Sequence, residues 1–268
     1  HFSAVQCWCK YLALDDDADG WLGLAERFGG GEVNGTYYDA KTCVATALVI
    51  RKTGKTWNRL EILGGGSVFG VDYTAAQCYV RAIELDGNAR FWTNLAGEGG
   101  GDVGGRHYTP VECSQEALRI DTGFARAWYL LARDGGGVVD GKTCSPKEAC
   151  LMSLTLDRDA SDSWNLLGIL GGGAVFGVAY TRSQCYQRAV ERSGENATLW
   201  HNLGVSGGGD VHGKRYSRAD CLARALAIDH AHTDSWKLLG QFGGGTVKGV
   251  HCDAAECERR HLLTTNTM

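Results

Sequence analysis

Hydrophobic and polar positions alternate along this chain with helical rather than strand periodicity, and the whole pattern recurs. Tryptophans at Trp21, Trp57, Trp92, Trp128, Trp164, Trp200 and Trp236 are spaced 36, 35, 36, 36, 36 and 36 residues apart. A leucine stands three positions after them, as in Trp164 with Leu167 and Trp200 with Leu203, which places both side chains on one helix face. Each such segment runs into three consecutive glycines, from Gly29–Gly31 in the first repeat to Gly243–Gly245 in the last. Glycine takes the left-handed conformation that ends a helix, so the triplet predicts a stop. A valine and a further glycine follow, and the segment reads G-G-G-x-V-x-G seven times.

Past this glycine loop the chain spells out a second helix start. An aromatic residue (Tyr38, Tyr73, Tyr108, Tyr180, Tyr216) or a cysteine (Cys144, Cys252) precedes Asp39, Thr74, Thr109, Ser145, Thr181, Ser217 or Asp253. Each of these is a residue type whose oxygen caps an orphaned N–H. Gln77, Glu112, Glu148, Gln184 and Glu256 three positions on predict capping boxes, with Thr42 and Asp220 as weaker substitutes. Both prolines, Pro110 and Pro146, fall at the first helical position. Next come Cys43, Cys78, Cys113, Cys185, Cys221 and Cys257, with Ala149 in the fourth repeat. Their place at N4 predicts packing under the aromatic at N′, as small buried hydrophobes. Small residues four positions later (Ala47, Ala82, Ala117, Ala189, Ala225) leave room for a close neighbouring helix.

The unit is therefore helix A bearing the tryptophan, a glycine loop, and helix B bearing the cysteine. Neither helix buries its apolar stripe alone, so successive units must stack. Phe2-Ser3-Ala4-Val5-Gln6-Cys7 repeats the helix B start, which predicts a lone helix B at the N-terminus. The expected fold is an all-α, right-handed α-solenoid of seven 36-residue helix–loop–helix repeats after one lone helix. Residues 1–268 form a single domain, with a half repeat at 1–15 and repeats at 16–51, 52–86, 87–121, 122–158, 159–194, 195–230 and 231–268. Because the chain opens on His1 in mid-repeat and its last unit loses the small residue to His261, the array reads as cut at its start and fading at its end.

The W-x-x-L-G and R-A-L segments, as in Trp200, Leu203, Gly204, Arg224, Ala225 and Leu226, resemble the tetratricopeptide repeat. The 36-residue length and the valine-containing glycine loop are more similar to Sel1-like repeats, a related helical family. This resemblance to the combined superfamily covers essentially the whole chain. It implies a non-enzymatic scaffold for protein–protein interaction and does not name the partner.

Composition alters this picture little. The 39 glycines would suggest disorder if scattered, but 28 of them sit in the recurring loop. A formal charge of −4 argues against nucleic acid or an anionic membrane as partner, and no apolar run is long enough to span a bilayer. No catalytic set and no cofactor motif appears; a seven-fold glycine loop without G-K-[ST] is architecture.

Candidate chemistry is confined to a few places. His251, Cys252, Cys257 and His261 are a candidate zinc set, since mixed Cys and His suit Zn²⁺, although the spacing matches no zinc module. A Cys252–Cys257 disulfide or plain thiols are the alternatives, and Cys144 with Cys150 poses the same question. Asn34-Gly35-Thr36 and Asn196-Ala197-Thr198 are glycosylation sequons, relevant to a secreted protein. The positions just after each tryptophan, namely Asn58, Arg59, Thr93, Asn94, Tyr129, Asn165, His201, Asn202 and Lys237, suit a concave groove hydrogen-bonding an extended peptide, or are simply solvated. Expected partners are thus a peptide ligand or further copies of the chain, assembled end to end into a fibre. The compartment stays open between the cytoplasm, which suits regular thiols, and an extracellular fibre.

Overall fold

The computed structural model describes residues 3–265. The chain divides into two compact units, His1–Thr143 and Cys144–Met268. In the first unit the helices are α1 Ala4–Leu14, α2 Ala18–Phe28, α3 Ala40–Ile50, α4 Gly54–Ile62, α5 Ala75–Leu85, α6 Ala89–Gly97, α7 Pro110–Ile120 and α8 Ala125–Arg133. In the second they are α9 Pro146–Leu156, α10 Ser161–Ile169, α11 Arg182–Arg192, α12 Ala197–Val205, α13 Arg218–Ile228, α14 Thr233–Gln241 and α15 Ala254–Thr265. Within each unit consecutive helices pack on one another, so each unit is an all-α solenoid.

The predicted caps are where the sequence places them. Thr74, Thr109, Ser145, Thr181 and Ser217 each accept from the backbone N–H three residues on, and each capping box closes. Asp220 completes its box as fully as the glutamates do. In the first repeat Asp39 accepts from both the N–H and the hydroxyl of Thr42. Glu256 departs from expectation: its carboxylate pairs with Arg259 and Arg260, and Asp253 alone caps α15.

The glycine loop is not a loop. Its third glycine and valine form a short strand paired antiparallel with the strand leading to helix B, as in Gly66–Val68 with Val71–Tyr73 and Gly173–Val175 with Val178–Tyr180. The two residues between the strands both take positive φ, for example Phe69 at 54° with Gly70 at 75°, and Phe176 at 50° with Gly177 at 77°. That is the type I′ turn, whose twist matches a two-residue hairpin. The strands are too short to show period-two patterning against so much glycine, which is why the helical reading passed over them.

At the other end of the hairpin the glycines close helix A. Gly171 N–H donates to Gly168 O at 3.1 Å and Gly172 N–H to Leu167 O at 2.8 Å, the paired bonds of a Schellman motif. The same pair recurs at Gly207 with Gly204 and Gly208 with Leu203, and at Gly243 with Gly240 and Gly244 with Leu239. Helix A, hairpin and helix B are consequently joined by continuous backbone hydrogen bonding.

The core runs along the helix A–helix B seam. Leu24, Leu60, Leu95, Leu131, Leu167, Leu203 and Leu239 have no exposed surface, and neither do Ala47, Ala82, Ala117, Ala189 and Ala225. The hairpin valines Val33, Val68, Val175, Val211 and Val247 are buried too, pinning those five hairpins to their helices. Burying a side chain of this size is worth about 1.5–3 kcal/mol.

Candidate functional site

The tryptophan is held by one or both of two contacts, and by both in Trp164 and Trp200. Its indole N–H donates to a carbonyl in the connection before helix A: Trp128 to Thr122 O, Trp164 to Arg158 O, Trp200 to Gly194 O and Trp236 to His230 O, all at 2.7–2.8 Å. Its ring meets the hairpin tyrosine of the same repeat, with centroids 4.7–4.8 Å apart in Trp21–Tyr38, Trp57–Tyr73, Trp92–Tyr108, Trp164–Tyr180 and Trp200–Tyr216. The tyrosine thus spends its ring on tryptophan. The N4 cysteine meets its carbonyl instead: Cys43 Sγ lies 3.8 Å from Tyr38 O and Cys113 Sγ 3.8 Å from Tyr108 O. Burial pushes the thiols of Cys43, Cys78, Cys113 and Cys221 up to about 12. A thiol held that high carries negligible thiolate at neutral pH and is no nucleophile.

With the tryptophans held, several of the next residues on helix A meet groups of the neighbouring repeat. Asn94 Nδ2 donates to Asn58 Oδ1 at 3.4 Å, and Asn202 Nδ2 donates to Asn165 Oδ1 at 2.8 Å. Arg59 lies 3.5 Å from Glu26 of the preceding repeat, and Thr93 is fully buried with its hydroxyl on Ala89 O. His201 Nδ1 shares the buried Ser235 hydroxyl with His232 Nδ1, at 2.8 and 3.0 Å, and the two rings are 4.9 Å apart. Burial, and secondarily the neighbouring His232, lowers the pKa of His201. Tyr129 is half-buried on the same row, and Lys237 is exposed. The row expected to face a peptide therefore spends much of its hydrogen-bonding capacity between repeats.

The histidine–cysteine set does not converge. His251 is exposed, Cys252 and Cys257 are buried, and His261 Nδ1 lies 3.2 Å from Thr233 O on the neighbouring helix. Among the described residues no three His, Cys, Asp or Glu side chains form a metal-holding group. Cys252 and Cys257 are free thiols, with Cys257 Sγ 3.7 Å from the Cys252 carbonyl oxygen. Cys150 is likewise a thiol, 3.2 Å from Ser163 O, while Cys144 is half-buried and free.

The sequons differ in setting. Asn34 sits exposed at the first hairpin's turn with φ 50°. Asn196 is exposed but caps α12, its Oδ1 accepting from Thr198 N–H at 3.0 Å and Leu199 N–H at 3.4 Å.

Sequence reasoning missed the hairpin tips. Asn34, Phe69, Gly104, Asp140, Phe176, His212 and Lys248 occupy one backbone position, all at positive φ, and are six different residue types, with phenylalanine used twice. A bulky residue there is strained by about 1–3 kcal/mol. Yet Phe69 and Phe176 are 58% and 52% exposed, each beneath a cation: Lys52 Nζ is 4.7 Å from one ring and the Arg158 guanidinium 4.0 Å from the other. The V-x-G signal was visible in the sequence; its turn type was not. Helix B of one repeat and the hairpin of the next also enclose grooves. One between α1 and the first hairpin measures about 760 Å³ and is lined by Val5, Cys9, Lys10, Phe28 and Tyr37 among others.

No protein-family profile matches this sequence, and no curated protein matches it. Among solved structures, the chain is similar to a protective antigen present in uropathogenic Escherichia coli strains, whose crystal structure displays an SLR (Sel1-like repeat) fold. The TM-score is 0.59 at 18% sequence identity, over 99% of this chain; the chain spans 57% of that protein's length. At that identity the likeness speaks for architecture, and it agrees with the helix A–hairpin–helix B units described above. The chain has the fold of a Sel1-like repeat array.

Proposed function

We propose that this chain is a non-enzymatic repeat scaffold whose ligands are proteins. The observation that carries the reading is the contrast between frame and tip. Tryptophan, leucine, the N4 cysteine and the hairpin valine are buried in repeat after repeat, while the single turn residue on that frame changes from asparagine to phenylalanine, aspartate, histidine and lysine. An exposed phenylalanine in left-handed backbone costs stability and gains nothing in the core, so recognition is the use that accounts for it. Two finer forms belong to the same proposal: assembly with further copies, end to end into a fibre, and capture of an extended peptide along the helix A row through Asn58, Arg59, Asn94, Tyr129, Asn165, His201, Asn202 and Lys237.

Cross-linking in the native source, read by mass spectrometry, tests the scaffold reading: cross-links from the hairpins or the helix A row to other polypeptides are expected. Recovery of the natural protein solely as a monomer with no polypeptide neighbour would overturn it. Sedimentation across a concentration series with electron microscopy then separates the finer forms. Concentration-dependent growth supports the fibre, and a monomer that saturates with peptide supports the adaptor.

A further inference from the structure

The repeat array supplies its own controls, because each groove between a helix B and the following hairpin is built from equivalent positions. In the sixth groove those positions are Lys214 and Arg215 on the hairpin, Arg224 on α13 and Lys248 at the next hairpin's tip. The corresponding residues are Val71, Asp72, Arg81 and Gly104 in the second repeat and Val178, Ala179, Arg188 and His212 in the fifth. In the third they are Arg106, His107, Glu116 and Asp140. Four cations at once occur in the sixth groove alone, on a chain whose net charge is −4.

The acidic groups nearby, Asp210, Glu195 and Asp220, offset this cluster only in part. Asp220, itself on the groove lining, accepts from Ser217 N–H at 2.9 Å and from the Ser217 hydroxyl at 2.7 Å through one carboxylate oxygen, and its charge offsets part of that of Lys214. Asp210 pairs with Arg215 at 3.2 Å, but both side chains are more than 60% exposed and the pair is screened by solvent. Arg224 reaches Glu195 at only 3.9 Å, and Lys248 has no ion-pair partner among the described residues. Lys214 lies over the Tyr216 ring at 4.9 Å, which keeps its ammonium at the groove mouth. The cavity measures about 430 Å³, and Ala223, Ala227 and Tyr216 contribute its apolar lining.

We propose that this groove docks an acidic, Asp/Glu-rich polypeptide segment. The inference rests on the protein-interaction reading above and names the partner chemistry for one site on the scaffold. Charge complementarity selects the acidic partner. A polypeptide, rather than nucleic acid, suits an alanine-lined groove on a net acidic chain, where long-range attraction to a phosphate backbone is opposed by the rest of the surface.

The test is fluorescence anisotropy with the full chain and fluorescein-labelled oligoglutamate, with a single-stranded oligonucleotide of equal charge and phosphatidylserine vesicles as competitors. Oligoglutamate is expected to bind, to weaken as salt rises, and to lose about tenfold or more in affinity in the Lys214→Glu/Lys248→Glu double variant. Both residues are exposed, so circular dichroism should match the parent, and the Arg106→Glu variant in the third groove should bind as the parent does. No binding, binding that survives the double reversal, an equal loss in Arg106→Glu, or preference for the oligonucleotide or the vesicles would overturn the proposal. Native cross-links that persist in the double variant while oligoglutamate binding was never present would defeat the groove and leave the scaffold reading standing.

Discussion

The three glycines of one hairpin are predicted to respond to the same substitution in three different ways. At Gly171, φ is +89° and no atom lies within 4 Å of an added methyl, so alanine meets only the left-handed penalty. That penalty is about 1–2 kcal/mol, reduced by the roughly 0.4–1 kcal/mol that alanine removes from unfolded-chain entropy. At Gly172, φ is +83° and the methyl would stand 2.2 Å from the Tyr180 carbonyl oxygen, backbone that no rotamer change relieves. Relief requires shifting the hairpin off the helix, which loses the bond from Gly172 N–H to Leu167 O and adds about 1–3 kcal/mol of overpacking to the backbone penalty. Gly173 has ordinary φ, and its methyl would meet Lys147 Cε at 3.1 Å, a flexible end, and the buried Leu167 Cδ1 at 3.2 Å, which must give by a few tenths of an ångström. The expected loss is about 1 kcal/mol at Gly171, about 3 kcal/mol or more at Gly172 and within about 1 kcal/mol of zero at Gly173. Urea unfolding followed by tryptophan fluorescence, with amide exchange across residues 161–192, reads this directly. If Gly172→Ala costs no more than Gly171→Ala, the carbonyl contact does not dictate the middle glycine and the reasoning is wrong.

Other expectations follow from the same structure. Native-state alkylation at neutral pH should label exposed Cys7 well before Cys43, Cys78, Cys113 and Cys221, whose burial holds them near 12; equal rates across these five would contradict the packing account. His201 has a lowered pKa, so below about pH 6.5 the unfolded chain binds more protons than the folded one and stability falls as pH drops toward 5. His201→Asn, which installs the residue used at Asn58 and Asn165, should flatten that part of the stability–pH curve, and an unchanged slope would refute it. Thr181→Ala should cost about 1 kcal/mol through the lost cap of α11, measured as a fall in urea midpoint.

What the sequence made legible was the helical part. A cap residue, a box partner three positions on and an apolar stripe are local signals, and they located helix B starts at Asp39, Thr74 and Ser217 without ambiguity. The hairpins were less legible because three-residue strands carry too few side chains to announce a period, and because Phe69 and Phe176 contradict the usual preference for asparagine or glycine in a type I′ turn. The helix A row was legible as a row but its partners were not: Asn94 and Asn58 bond to each other across 36 positions, a partnership that only stacking creates. The sixth groove was invisible for the same reason, since Lys214 and Lys248 belong to different repeats.

The unbroken hydrogen bonding from helix A through the hairpin into helix B has a consequence for how this chain can be cut or lengthened. Triple glycine ordinarily marks a hinge, a protease site or a tolerant point for insertion. Here the Schellman bonds hold its first two members and the strand pairing holds the third, so limited proteolysis should spare these segments. The junctions better suited to nicking, permutation or an inserted tag are the short connections from helix B to the next helix A, around residues 86–88 and 193–196, where no strand pairing holds the backbone and the ties are helix-end bonds and, at Gly194 O, the Trp200 indole. In this chain glycine marks the seam that must not be opened.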